Sequence, residues 1–167
     1  MLWTQLRVTV MLQIHVLASL IGILSGLVVV YDLLIGKLSG GWTALFIAAT
    51  ILTNLTGFAL PPFAFDPPRV VGAISLILMA AAVAALCGFH LAGMWRWIYI
   101  GGAVAALYLN VFVGVVQAFQ KLPLLHSLAP TQSEPPFVVV QLAVLVAFIT
   151  LGVFAVMKFH PAPQPRI

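Results

Sequence analysis

Apolar residues run almost unbroken along this chain, and short interruptions of charge, proline and glycine divide them. A helix crossing the hydrocarbon of a bilayer needs about 20 mostly apolar residues at ~1.5 Å of rise each, and five stretches meet that length. The first runs from about Val8 to Leu34, opening after Arg7 and closing at Asp32 and Lys37, with Gly36, Gly40 and Gly41 supplying the turn. The second, roughly Trp42 to Leu60, stops at Pro61-Pro62, which cannot continue a helix. Pro67-Pro68-Arg69 keeps the connection extended until a third stretch, Val70 to about Ala92. Gly93-Met94-Trp95-Arg96 then leads into a fourth, Trp97 to Gln120, closed by Lys121 and Pro123. The fifth is Phe137 to about Met157, followed by Lys158 and a proline-rich tail.

Backbone amides in hydrocarbon must pair within their own element. The predicted fold is therefore all-α: an integral membrane bundle of about five transmembrane helices (8–34, 42–60, 70–92, 97–120 and 137–157). It forms a single domain over 1–167, with 158–167 as a short tail. The connection from Leu122 to Pro136 reads as an ordered cap or an irregular loop. The first stretch is retained as a helix rather than a cleaved signal peptide, because it is too long, Gln13 and His15 interrupt it, and no small-x-small cleavage site follows cleanly.

Composition supports the bilayer and removes several function classes. Of 167 residues 63% are hydrophobic and 6% charged, against roughly a quarter charged in a soluble domain. The net charge of +4 is spread thinly and forms no basic patch, so nucleic-acid binding lacks support. Cys87, the one cysteine, rules out an internal disulfide and any multi-cysteine zinc or iron–sulfur site. No nucleophile–base pair or phosphate-cradling glycine loop is visible, and Gly101-Gly102 falls inside a helix, where close packing explains it. An enzyme has the least support of any class.

Five crossings put the termini on opposite faces. Face one carries Arg7, Arg69 and Lys121, and face two carries Lys37, Arg96, Lys158 and Arg166. The positive-inside rule then places face two in the cytoplasm and the N-terminus outside. Tyr31, Trp42, Trp95, Trp97 and Tyr99 form an expected interfacial belt at face two.

Polar side chains are costly in hydrocarbon, so their depth is informative. Counted from the nearest helix end, His15, Asn54, Ser75, Gln117 and Gln141 all lie roughly 6 to 11 Å beneath face one, one from each helix. Helical phase agrees, since residues three or four apart share a face. His15, Ser19, Gly22 and Gly26 follow one stripe; Thr50, Thr53 or Asn54, and Gly57 follow another. Ala103, Ala106, Asn110, Gly114, Gln117 and Lys121 follow a third. The candidate ligand-binding residues are His15, Asn54, Asn110, Gln117 and Gln141, beneath loops carrying His126, Glu134 and Asp66 as a candidate lid. The plain alternative is that such side chains link helices by hydrogen bonds.

Haem would need two imidazoles at one depth. His15 and His90 lie near opposite faces, some 20 Å apart by helix rise, so His15 could pair only with His126 if the long loop folds back. No metal site is expected, because His-x-x-x-His and Cys-x-x-Cys spacings are lacking.

Ala106-Leu107-Tyr108-Leu109-Asn110-Val111-Phe112, Val116-Gln117-Ala118-Phe119 and the run from Leu128 to Phe137 (Leu-Ala-Pro-Thr-Gln-Ser-Glu-Pro-Pro-Phe) resemble a group of small uncharacterised bacterial multi-pass membrane proteins. The likeness extends through Thr56-Gly57-Phe58 and Trp95-Arg96-Trp97-Ile98-Tyr99, and Leu128 to Phe137 is its most specific part. It implies a bacterial inner-membrane protein and transfers no activity. Within that run, Thr131 or Ser133 with Glu134 and Pro135-Pro136 are expected to cap the last helix.

The leading expectation is a bundle binding a small apolar or amphipathic molecule such as a quinone at the polar layer. The alternatives are a non-catalytic accessory or assembly subunit, with a membrane-protein partner or a homo-oligomer, and, behind these, a haem-binding or proton- or ion-conducting protein.

Overall fold

The computed structural model describes residues 2–61 and 67–160, with side chains from Gln5 onward. Among the described residues the chain forms α1 (Leu2–Leu34), α2 (Gly40–Ala59), α3 (Pro67–Val83) continued by a π-helical turn (Ala84–Gly88), α4 (Trp95–Lys121), α5 (Pro123–Leu128) and α6 (Pro135–Lys158), with no strand. Five segments are long and apolar enough to cross a membrane, and the chain is an all-α, multi-pass membrane bundle.

Helices α2, α4 and α6 each begin two residues before the expected position. The amides of a first helical turn need no intrahelical acceptor, so Gly40-Gly41 and Pro135-Pro136 fit there without cost to the ladder. Pro67-Pro68, expected in an extended link, likewise opens α3. Helix α1 starts at Leu2 rather than Val8, because Arg7 and Gln5 end the apolar run but are good helix formers. At 33 residues α1 is roughly 50 Å long, well beyond ~30 Å of hydrocarbon.

The third span stops at Gly88, four residues short of the expected end. Its last turn widens, with Phe89 N–H donating to Ala84 O (3.1 Å) and Leu91 N–H to Ala85 O (2.9 Å). His90 and Leu91 then take left-handed conformations (φ 49° and 58°), which reverse the chain. Phe89 stacks on Trp95 with ring centroids 3.6 Å apart, tying the turn to the start of α4.

The helices form a ring, α1–α2–α3–α4, which α6 extends by packing against both α4 and α1. Helix α4 is the shared wall and the most buried span. The core of Leu33, Phe46, Met79, Ile100 and Leu107 lies at mid-depth and towards face two. Small residues set the closest approach. A Cβ at Gly26 would lie 2.6 Å from Leu107 Cδ1 and 2.8 Å from the Phe46 ring, and one at Gly102 would lie 3.0 Å from the Leu78 carbonyl. Outward residues such as Leu24, Ile77, Val139 and Val146 are exposed, as lipid-facing positions should be. Tyr99 departs from the expected belt: it is fully buried, its hydroxyl 3.4 Å from Thr43 Oγ1.

Candidate functional site

The predicted polar layer divides into three groups. In the first, Asn54 Nδ2 donates to Ser75 Oγ (3.0 Å) and Thr50 O (2.9 Å), joining α2 to α3. Asn110 Nδ2 donates to Thr50 Oγ1 (3.2 Å), joining α4 to α2. These side chains are all buried, and the Asn54–Ser75 and Asn110–Thr50 bonds run between helices. Asn54 bonds to Ser75 of α3, and its amide oxygen lies 3.4 Å from where a Cβ would stand at Gly72.

In the second group, Gln141 Nε2 donates to Phe112 O (3.2 Å), holding α6 to α4. Among the described residues its Oε1 is buried without a hydrogen-bond partner, as is Asp32 Oδ2 near face two.

The third group is centred on His15. Its Nδ1 lies 3.0 Å from Thr53 O and 3.0 Å from Thr56 Oγ1. A carbonyl only accepts, so Nδ1 carries the hydrogen. The Thr56 hydroxyl donates to Leu52 O (2.7 Å), which leaves its lone pairs to accept from the same Nδ1–H. In its neutral form His15 is favoured by these contacts as the Nδ1–H tautomer, in which Nε2 keeps a lone pair. The ring lies close over α2, since a Cβ at Gly57 would come 3.3 Å from His15 Cε1.

Register between α1 and α4 brings a second residue to this level. A Cβ at Gly22 would lie 3.5 Å from Asn110 Nδ2, and Ile23 Cδ1 would be 3.7 Å from one at Gly114. The two helices are antiparallel, and seven residues make about two turns on the same face. His15, seven before Gly22, is therefore level with Gln117, seven after Asn110. Gln117 is half-buried and makes no side-chain hydrogen bond among the described residues. Lys121 lies one turn further out on the same stripe of α4. Along α4 the stripe passes from buried (Ala103, Ala106, Asn110) through half-buried (Gly114, Gln117) to exposed (Lys121), so the interface opens towards face one.

The long connection differs from the expected lid. It contains α5, whose Pro123 sits in the first turn, and His126 there is exposed. Glu134 occupies the N-cap position of α6, but its carboxylate does not cap that helix. It accepts instead from Thr131 N–H (3.1 Å), Thr131 Oγ1 (2.9 Å) and Ser133 N–H (3.1 Å). Slight desolvation would raise the Glu134 pKa, and these hydrogen bonds outweigh it, holding the carboxyl below its usual value. Gln132 Nε2 fastens the loop to Val116 O (3.0 Å) on α4. Asp66 lies outside the described residues.

His90 is exposed at face two, at the opposite end of the bundle from His15. Among the described residues no three His, Cys, Asp or Glu side chains are grouped to hold a metal ion. An apolar recess of about 430 Å3 opens between α2 and the π-helical turn, but its lining hydroxyl, Thr43, is the one beside Tyr99. Thr56 was not legible as a site residue; the signal was its spacing from Thr53 on the α2 face that meets α1. Comparison with family models, curated proteins and solved structures finds no match to this chain.

Proposed function

We propose that the bundle binds a small amphipathic molecule of quinone or quinol type, its polar head held between α1 and α4 near face one. The observation that carries this reading is the pair of contacts from His15 Nδ1 to Thr53 O and Thr56 Oγ1, 3.0 Å each. Two acceptors on α2 hold Nδ1–H, so Nε2 is an oriented acceptor for a quinol hydroxyl. Gln117, level with it and without a side-chain hydrogen bond among the described residues, supplies an amide N–H for a carbonyl oxygen, and the exposed aliphatic faces accommodate the tail. The chain encodes no electron donor, and we assign it no redox step. We place it in the bacterial inner membrane, with the N-terminus outside and face two cytoplasmic.

The test is titration of the protein in phosphatidylcholine nanodiscs with a short-chain ubiquinol. Saturable binding is expected, weakened about 3- to 10-fold by His15→Ala or Gln117→Ala, the worth of one net hydrogen bond. Asn54→Ala, which alters the α2–α3 contact, leaves the affinity unchanged. Absence of saturable binding, or one affinity for all four proteins, would contradict the reading.

A second reading, a non-catalytic accessory subunit of a membrane complex, draws on the Asn54–Ser75 and Asn110–Thr50 bonds, which tie helix to helix and order the bundle. It requires that His15→Ala leave the function of such a complex intact.

A further inference from the structure

At face two, the turn between the third span and α4 and the end of α6 frame an open recess of about 420 Å3, lined by Leu91, Gly93, Arg96, Trp97 and His160. Arg96 Nη1 donates to the Phe159 carbonyl (2.8 Å), which pins the end of α6 and fixes the guanidinium at the recess. A guanidinium has five N–H donors, and Arg96 forms no ion pair among the described residues. The guanidinium carbon lies 5.5 Å from the Trp97 ring centroid.

Further cations share this end of the molecule. Lys158 closes α6, and a Cβ at Gly36 would lie 3.5 Å from the Lys158 carbonyl, so the α1–α2 turn bearing Lys37 abuts the same place. Against Lys37, Arg96 and Lys158 the described residues of face two set one carboxylate, Asp32. The wall of the recess is preformed: the Phe89–Trp95 stack and the Leu91 N–H bond to Ala85 O hold Leu91 in its left-handed conformation at the rim.

An electropositive recess at helix-end depth, beside the exposed Trp97 and Met94, suits an anion that carries apolar chains. Basic pockets between helices at a membrane surface bind phosphate headgroups, and arginine is the side chain best shaped for them. We propose that this recess binds the phosphate of an anionic phospholipid in the face-two leaflet, with Arg96 and His160 as its direct contacts.

Native mass spectrometry of the protein from nanodiscs of mixed phosphatidylglycerol and phosphatidylcholine tests this. One phosphatidylglycerol is expected to be retained in preference to phosphatidylcholine. Arg96→Gln lowers that retention about five-fold or more, the effect of one basic residue at an anionic surface. His160→Ala, at an exposed position whose loss does not threaten folding, lowers it in the same direction, and Arg7→Ala at the opposite face leaves it unchanged. Equal retention of the two lipids, or wild-type retention in both Arg96→Gln and His160→Ala, would overturn the proposal. So would stabilisation of the detergent-solubilised protein by millimolar inorganic phosphate to the extent given by phosphatidylglycerol, which would mark a site for the soluble anion.

Discussion

Asn110 and Gln141 lie at similar depth on neighbouring helices, yet their substitutions are expected to differ. Asn110 Nδ2 is bonded to Thr50 across a buried contact, and Asn110→Ala should cost about 0.6 kcal/mol, up to ~1.7, the range for such bonds in membrane bundles. Gln141 donates one bond but buries an acceptor with no partner. Gln141→Met removes both, so its unfolding midpoint should stay near that of the wild type. Gly26→Val places branched carbons where even a Cβ would meet Leu107 and Phe46, and overpacking of this kind costs about 1–3 kcal/mol. Reversible unfolding in mixed micelles, followed by circular dichroism, measures all three. His15 and Gln117 could be picked out by depth and phase alone, because rise and periodicity are properties of one helix. Which helix each would face could not, since that depends on how neighbours rotate about their axes. Asn54 and Gln141 shared the depth and turned to α3 and α4.

The elements follow the same division. Span number and order were legible because the hydrocarbon fixes a minimum apolar length, whereas the ends were set by chemistry that a hydropathy run does not record. Proline and glycine fit the first turns of α3, α6 and α2, and the third span ended early in a π-helical turn with left-handed His90 and Leu91. The loop before α6 turns on Glu134, whose place before Pro135-Pro136 predicts a helix cap but whose carboxylate accepts from Thr131 and Ser133 instead. Its folded pKa is depressed, so this latch contributes fully above the ordinary carboxyl value and is lost as pH falls through the lower folded value. Protection of the Thr131 and Ser133 amides against hydrogen exchange should therefore hold at neutral pH and fail in acid, below the ordinary carboxyl value. Glu134→Gln should show the weakened protection at neutral pH, with the α6 amides unaffected.

Across the whole molecule, the ring of α1 to α4 with α6 on its flank places two unlike ends on one bundle. Face one brings His15 and Gln117 to one level between α1 and α4, and face two carries Lys37, Lys158 and the recess lined by Arg96, Trp97 and His160. With face two cytoplasmic, a Lys37→Cys variant in a Cys87→Ser background should react with an impermeant maleimide in inverted vesicles and not in intact spheroplasts. Ser127→Cys should show the reverse. The same pattern for both positions would contradict an odd number of crossings between them.

The most direct test of the central claim is nitrogen-15 NMR of histidine-labelled protein in nanodiscs, with the His15 signals assigned by their loss in His15→Ala. The expected spectrum has a protonated Nδ1 and an unprotonated Nε2, and the Nε2 resonance moves when a short-chain ubiquinol is added. A hydrogen on Nε2, or an Nε2 resonance that saturating quinol leaves in place, would contradict a His15 held ready to receive a ligand.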